Sequence, residues 1–290
     1  MAVLLALMSA CATAVNLVLQ RDASRDAPAE VRGWRVLPYL VRNLRWLLGE
    51  GAWVVAFGLQ ALALHLGQVS VVQPLLVTEL VFTLLIRRYA SRWPVRRAAW
   101  ASAALLCASL ALFLVAAEPR GGHALATRSA WAWALLISLG VASVAAVLGR
   151  TGSPQRKAGC FAVAASVLAA LEATLVKQAT ETVHTRGLLV LLTGWPLYVL
   201  VTVGTVSGLL VQAALHVGPL TVTQPLLVVV NPLASIALSV WLFGEHFTMS
   251  PAALALGSCS FLGLIAGVFL LTATGPRGPV TAHPLAEPVT

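Results

Sequence analysis

Nine apolar runs divide the chain, at roughly 2–20, 47–66, 69–86, 98–117, 130–148, 158–178, 187–216, 219–243 and 251–273. Each is near or above the roughly 20 residues that an α-helix needs to cross a bilayer, and none alternates apolar with polar as membrane-barrel strands do. The pattern predicts an all-α fold, a polytopic transmembrane helix bundle of about nine helices. The links between the second and third runs and between the seventh and eighth are a residue or two long, so each pair should form a tight hairpin. Gly67 and Gly218-Pro219 supply the turn chemistry. The tail 274–290 is rich in Pro and Gly and is expected to be disordered.

Both hairpins carry the same letters. Residues 62–81 and 213–232 align without a gap on Ala-Leu-His-x-Gly-x-x-x-Val-x-Gln-Pro-Leu-Leu-Val. His65 answers His216, Gly67 answers Gly218, and Gln73-Pro74 answers Gln224-Pro225. Shared Leu and Val mean little in so apolar a chain, but shared His, Gly, Gln and Pro at fixed offsets indicate an internal duplication. The expected organisation is a first transmembrane repeat over 1–117, a connector helix and loops over 118–157, and a second repeat over 158–273. An odd number of helices precedes the second repeat, so it should enter the membrane upside down. Inverted repeats of this kind build secondary transporters, with the substrate site near the midplane between the halves.

Composition agrees with burial in lipid. The chain is 59% hydrophobic and 10% charged, against about a quarter charged in soluble domains. The net charge of +9 does not imply nucleic acid, because the arginines sit in links between apolar runs. Links 21–46, 87–97 and 149–157 carry most of them, whereas the intervening links carry only Arg120, Arg128 and Arg186. The basic side is cytoplasmic, which predicts a multi-pass protein of the cytoplasmic (plasma) membrane with its N-terminus outside and C-terminus inside. No charged region precedes the first run, so it reads as a spanning helix and not a signal peptide. Arg far outnumbers Lys, which suits a GC-rich bacterial genome. The four cysteines lie in apolar runs without metal-ligand spacing, so no metal site is read from them.

The second half carries Gln224-Pro225-Leu226, Trp241-Leu242-Phe243-Gly244-Glu245 and a glycine series Gly257, Gly263, Gly267. In these residues, along 205–270, the chain resembles the drug/metabolite transporter superfamily, its EamA-like and NIPA-like branches in particular. The first half matches at Gln73-Pro74-Leu75 and then departs, with Arg87 to Arg97 in place of the Gly-Glu turn. Many members have ten helices, and nine fits the NIPA-like branch better. The resemblance implies a transporter and leaves its substrate undefined.

Polar side chains inside such helices are expensive and usually face the bundle interior or a cavity. Ser9, Thr13, Asn16 and Gln20 form one stripe on the first helix, and Gln224, Asn231 and Ser235 another on the eighth. Each stripe serves either helix–helix hydrogen bonding or a substrate. Pro74, Pro225 and Pro232 remove backbone donors and are candidate hinges whose freed carbonyls need partners. Glu79, mid-helix after Pro74, is the sharpest signal, and Glu172 the next; Glu79 is the candidate coupling residue, at once substrate ligand and proton carrier. Lys177 and Glu181, four apart, are expected to pair. His65 and His216 end helices, where the dipole alone favours them. Gly263-x-x-x-Gly267 reads as helix packing, and Trp195-Pro196 should interrupt the seventh helix. The candidate substrate contacts are therefore Glu79, Glu172, Asn16, Gln73, Gln224, Asn231 and Tyr198.

The leading expectation is a secondary active, ion-coupled transporter of small metabolites or drug-like solutes, not an enzyme and without a cofactor. A NIPA-like magnesium or divalent-cation transporter is the alternative. An intramembrane enzyme finds no Gly-x-Ser-x-Gly or His-Glu-x-x-His here, and no Walker-type loop binds ATP. A non-transporting membrane subunit is a third reading. The partners implied are the lipid bilayer and a small-molecule or ion substrate, with no nucleic acid and with homodimerisation left open.

Overall fold

The computed structural model describes residues 1–25, 42–89, 97–117, 125–218, 220–246 and 251–274. The helices are α1 (Ala2–Arg25), α2 (Leu44–Leu66), α3 (Val69–Leu76), α4 (Glu79–Tyr89), α5 (Arg97–Ala117) and α6 (Arg128–Leu148). They continue with α7 (Pro154–Arg186), α8 (Leu188–Thr193), α9 (Trp195–Val217), α10 (Leu220–Phe243) and α11 (Pro251–Thr274). Among the described residues, eight segments are long and apolar enough to cross a membrane, and α11 contributes a shorter apolar stretch, Ala255–Leu270. Large side chains such as Val54, Leu136, Val201 and Leu209 point outward. Water would not tolerate so continuous an apolar surface, and lipid does. The chain is a multi-pass helical membrane bundle.

Two of the apolar runs are broken. The third divides into α3 and α4 at Val77-Thr78, where Val77 N donates to Pro74 O at 3.2 Å and Thr78 N to Leu75 O at 3.1 Å. These tight i→i+3 turns follow Pro74, which has no N–H to continue the α pattern. The seventh divides at Gly194, whose extended backbone (φ −88°, ψ 153°) precedes Trp195-Pro196. In contrast α10 passes through Pro225 and Pro232 without a break. It packs along α7, with Val222 and Leu226, on either side of Pro225, beside Gly159.

The long helix α7 is the mast of the bundle and touches α2, α3, α6, α8, α9 and α10. Its sequence explains why: Ala162, Ala164, Ala165, Ala170 and Ala173 are buried, and side chains this small let several helices approach at once. Ser153 caps its start, accepting from Arg156 N at 3.3 Å, with Pro154 in the first turn. Gly187, at φ +88°, ends it. At one edge α5 packs on α11. A Cβ on Gly267 would lie 3.0 Å from Leu106 N and one on Gly263 would collide with Ser109, so Gly263 and Gly267 do serve close helix packing.

The two hairpins share backbone geometry. Gly67 has φ −142°, ψ 180° and Gly218 has φ −142°, ψ 176°. A Cβ on Gly67 would collide with Ala2 at the start of α1, and one on Gly218 with Ala158 near the start of α7. Ser9 Oγ donates to Ala56 O at 2.8 Å, joining α1 to α2, and Ser207 Oγ donates to Ala165 O at 3.1 Å, joining α9 to α7. Ala56 precedes Ser207 by the same offset that separates Gly67 from Gly218. The hydroxyl has changed sides at equivalent places.

Candidate functional site

A cavity of about 250 Å³ opens between α1, α2, the broken α3–α4 helix, α7 and α10. Its polar lining is Thr13, Gln60, Gln73, Glu79, Glu172 and Asn231, and its apolar wall includes Trp53 and Phe57, whose rings stack at 5.9 Å. All these positions fall in the middle reaches of the membrane-spanning segments. The break after Pro74 puts Glu79 at the first residue of α4, so the carboxyl stands at a discontinuity in the helix and not on its continuous side.

Gln73 is 2% exposed, lines this space, and its Nε2 has no hydrogen-bond partner among the described residues. A buried donor left unpaired costs about 1–3 kcal/mol, and such groups are rare unless something else satisfies them. Neither Glu79 nor Glu172 makes a hydrogen bond or ion pair among the described residues. Asn231 Oδ1 accepts from Ser235 Oγ at 3.3 Å, which leaves its amide nitrogen without a partner there. Room for Glu172 comes from Gly204 on α9, where an added Cβ would lie 3.1 Å from Oε1. Among the described residues, no Lys or Arg lines the cavity. Two acids, unpaired amides and aromatic rings suit a cation that also hydrogen-bonds.

The structure thus brings Glu79, Glu172, Gln73 and Asn231 together, with Pro232 on the same wall. It puts Asn16 elsewhere: Asn16 is 4% exposed and its Nδ2 donates to Gly49 O at 2.8 Å. Except for Thr13, the polar stripe of α1 faces α2 and holds it, with Gln20 Nε2 donating to Glu50 Oε1 at 2.8 Å. Tyr198 is 62% exposed on α9, and its hydroxyl donates to Leu192 O, so it caps the α8–α9 break away from the cavity. The side chain of Gln224 lies outside the described residues. Gln60, Trp53, Phe57 and Thr13 are additions to the predicted set. Gln60 carried a readable signal, a lone amide deep in an apolar run, whereas the two aromatics on α2 carried none.

Near one end of the cavity stands a second polar cluster. Glu245, 1% exposed, follows Gly244, whose φ of +65° turns the chain back after α10. Its carboxylate accepts from Val69 N at 3.0 Å, Ser70 N at 3.1 Å and Ser70 Oγ, all in the first turn of α3. Lys177 Nζ of α7 donates to it at 3.1 Å and lies 4.7 Å from the centre of the Phe243 ring. One acid thus caps the orphan N–H groups of α3 and neutralises a buried lysine. The expected Lys177–Glu181 pair does not form. Glu181 Oε1 instead lies 3.0 Å from His65 Nδ1, without an aligned hydrogen bond, and the His65 ring packs on His184 at 4.9 Å. Lys177 is drawn to Glu245 because that carboxylate is drier, 1% exposed against 8% for Glu181, and already accepts three hydrogen bonds from α3.

No family model matches the chain, and no solved structure matches it. It is 26% identical over 249 residues to an uncharacterized protein of Corynebacterium glutamicum, an alignment that covers 85% of this chain and 86% of that one. The likeness extends over most of both chains.

Proposed function

We propose that the protein is an ion-coupled secondary transporter of small cationic metabolites or drug-like amines, organised like the drug/metabolite transporter superfamily. The observation that carries this reading is the mid-bundle cavity in which two unpaired carboxylates and the unpartnered Gln73 amide converge. Contributions from both halves of the duplicated sequence support a site between repeats. The matched glycine turns and reciprocal serine bonds support the duplication, and in this scheme the second repeat enters the membrane inverted. With the N-terminus outside, the Lys177–Glu245 cluster closes the cavity from the outer side. Rocking of the halves then requires that cluster to part.

Glu79 is the coupling residue in this scheme, exchanging its proton against a cationic substrate. The test is uptake by reconstituted vesicles of a panel of organic amines, with and without an imposed proton gradient. Wild-type protein should accumulate a cationic amine in a gradient-dependent manner. Glu79→Gln keeps the shape, should still fold, and should lose gradient-driven uptake. Wild-type rates with unchanged pH dependence in that variant would remove the coupling role from Glu79.

The two carboxylates also favour a second reading, transport of a hydrated divalent cation, since Mg²⁺ is often held by one or two carboxylates with retained waters. The stacked Trp53 and Phe57 favour the organic cation, because rings stabilise alkylammonium groups. Gradient-independent Mg²⁺ flux with no amine uptake would decide for the second.

A further inference from the structure

Only three basic residues stand in the links opposite the arginine-rich side, and two of them, Arg128 and Arg186, line one cavity. This cavity, about 340 Å³, lies between the start of α6, the last turns of α7 and the α8–α9 break. Its residues are distinct from those of the acidic cavity, although α7 serves both. Gln178, Thr182 and Arg186 recur every four residues along one stripe of α7, apart from the face that carries Glu172 and Val176.

The base of the cavity is built and fixed. Trp131, 2% exposed, donates from Nε1 to Gln178 Oε1 at 3.2 Å, and Ala126 N reaches the same oxygen at 3.5 Å. Trp195 meets Trp131 edge to face at 5.5 Å. Because Trp131 is buried, it is not a member of a lipid-facing aromatic belt. With Oε1 occupied, Gln178 has only its amide N–H groups left to offer. The hydroxyl of Thr182 already donates to Gln178 O. Arg128 and Arg186 are exposed at the rim and pair with no acid among the described residues. Among the described residues no acid lines the space, and Val190, Trp195 and Pro196 give it an apolar wall.

The geometry points to a binding site for an anionic amphiphile, a phosphate or carboxylate head held by Arg128, Arg186 and the Gln178 amide, with an apolar tail along Val190, Trp195 and Pro196. Paired guanidinium groups suit such oxyanions by bidentate geometry. A membrane phospholipid and a single-chain amphiphile from solution share this chemistry. The site does not depend on the transport reading.

The experiment is native mass spectrometry of the full chain in a neutral detergent, with three probes at matched chain length. These are phosphatidylglycerol, phosphatidylcholine, and dodecyl phosphate added from solution. Retention of phosphatidylglycerol over phosphatidylcholine identifies the lipid as occupant, and retention of dodecyl phosphate alone identifies the soluble source. In either case Arg128→Gln with Arg186→Gln should weaken binding at least about tenfold, and Arg128→Lys with Arg186→Lys should restore part of it. Both arginines are exposed, so unfolding temperatures should not move, which separates lost binding from lost fold. Equal retention of phosphatidylcholine, no retention of any probe, or anionic binding unchanged in the double Gln variant would overturn the assignment.

Discussion

Removing Glu245 should harm this protein more than removing its lysine partner. Glu245→Ala strands Lys177 in the interior and leaves two backbone N–H groups and the Ser70 hydroxyl unpaired. Breaking a buried pair from one side costs about 3–5 kcal/mol. Lys177→Met deletes one donor of four and keeps an apolar stem over Phe243. The carboxylate retains its three α3 donors, so the loss is that of one charge-assisted hydrogen bond, about 1.5–3 kcal/mol. At about 2–4 °C per kcal/mol for chains of roughly this size, Glu245→Ala should lower the unfolding temperature by roughly 6–20 °C and Lys177→Met by roughly 3–12 °C. Thermal unfolding in mild detergent, followed by fluorescence of the nine tryptophans, reads both. The double variant should be less destabilised than the two single losses combined, by about 1–3 kcal/mol, because neighbours in one network couple. If Lys177→Met were as damaging as Glu245→Ala, or if the losses simply added, the capping role of Glu245 at α3 would be wrong.

Two further substitutions test packing that bears on the cavity. Gly204→Ala puts a Cβ 3.1 Å from Glu172 Oε1 and 3.2 Å from Cδ; the carboxyl must shift by a few tenths of an ångström. Substrate uptake should fall several-fold while the unfolding temperature stays within about 2 °C, and a variant with wild-type uptake would show that Glu172 need not be so placed. Gly67→Ala meets Ala2 Cβ at 2.6 Å and Ala63 O at 3.1 Å. The backbone there is extended and open to any residue, so the cost is of space, about 1–3 kcal/mol of overpacking. Ala2→Gly in the same chain should restore part of the lost stability, and failure to do so would place the strain elsewhere.

The sequence alone determined the class of the molecule, since runs of about 20 apolar residues have no stable home but a bilayer, and the structure is helical in every one of them that it describes. It also marked Glu79, Glu172, Gln73 and Asn231, because an ionisable or amide group at that depth is costly enough to need a reason. Helical periodicity told which polar residues share a face, yet not which neighbour that face meets. Asn16 and Thr13 sit one turn apart on one stripe, and only packing decided that Asn16 bonds Gly49 O on α2 while Thr13 lines the cavity. Proline identity did not decide where a helix breaks either: α3 ends just after Pro74, whereas α10 runs on through Pro225 and Pro232. Lys177 made the same point from the side of charge. Its neighbour four residues on was the nearest acid in sequence, but once the helices pack, Glu245 lies 3.1 Å away across the bundle, and its carboxylate, already held by three α3 donors, takes the ammonium while Glu181 faces His65.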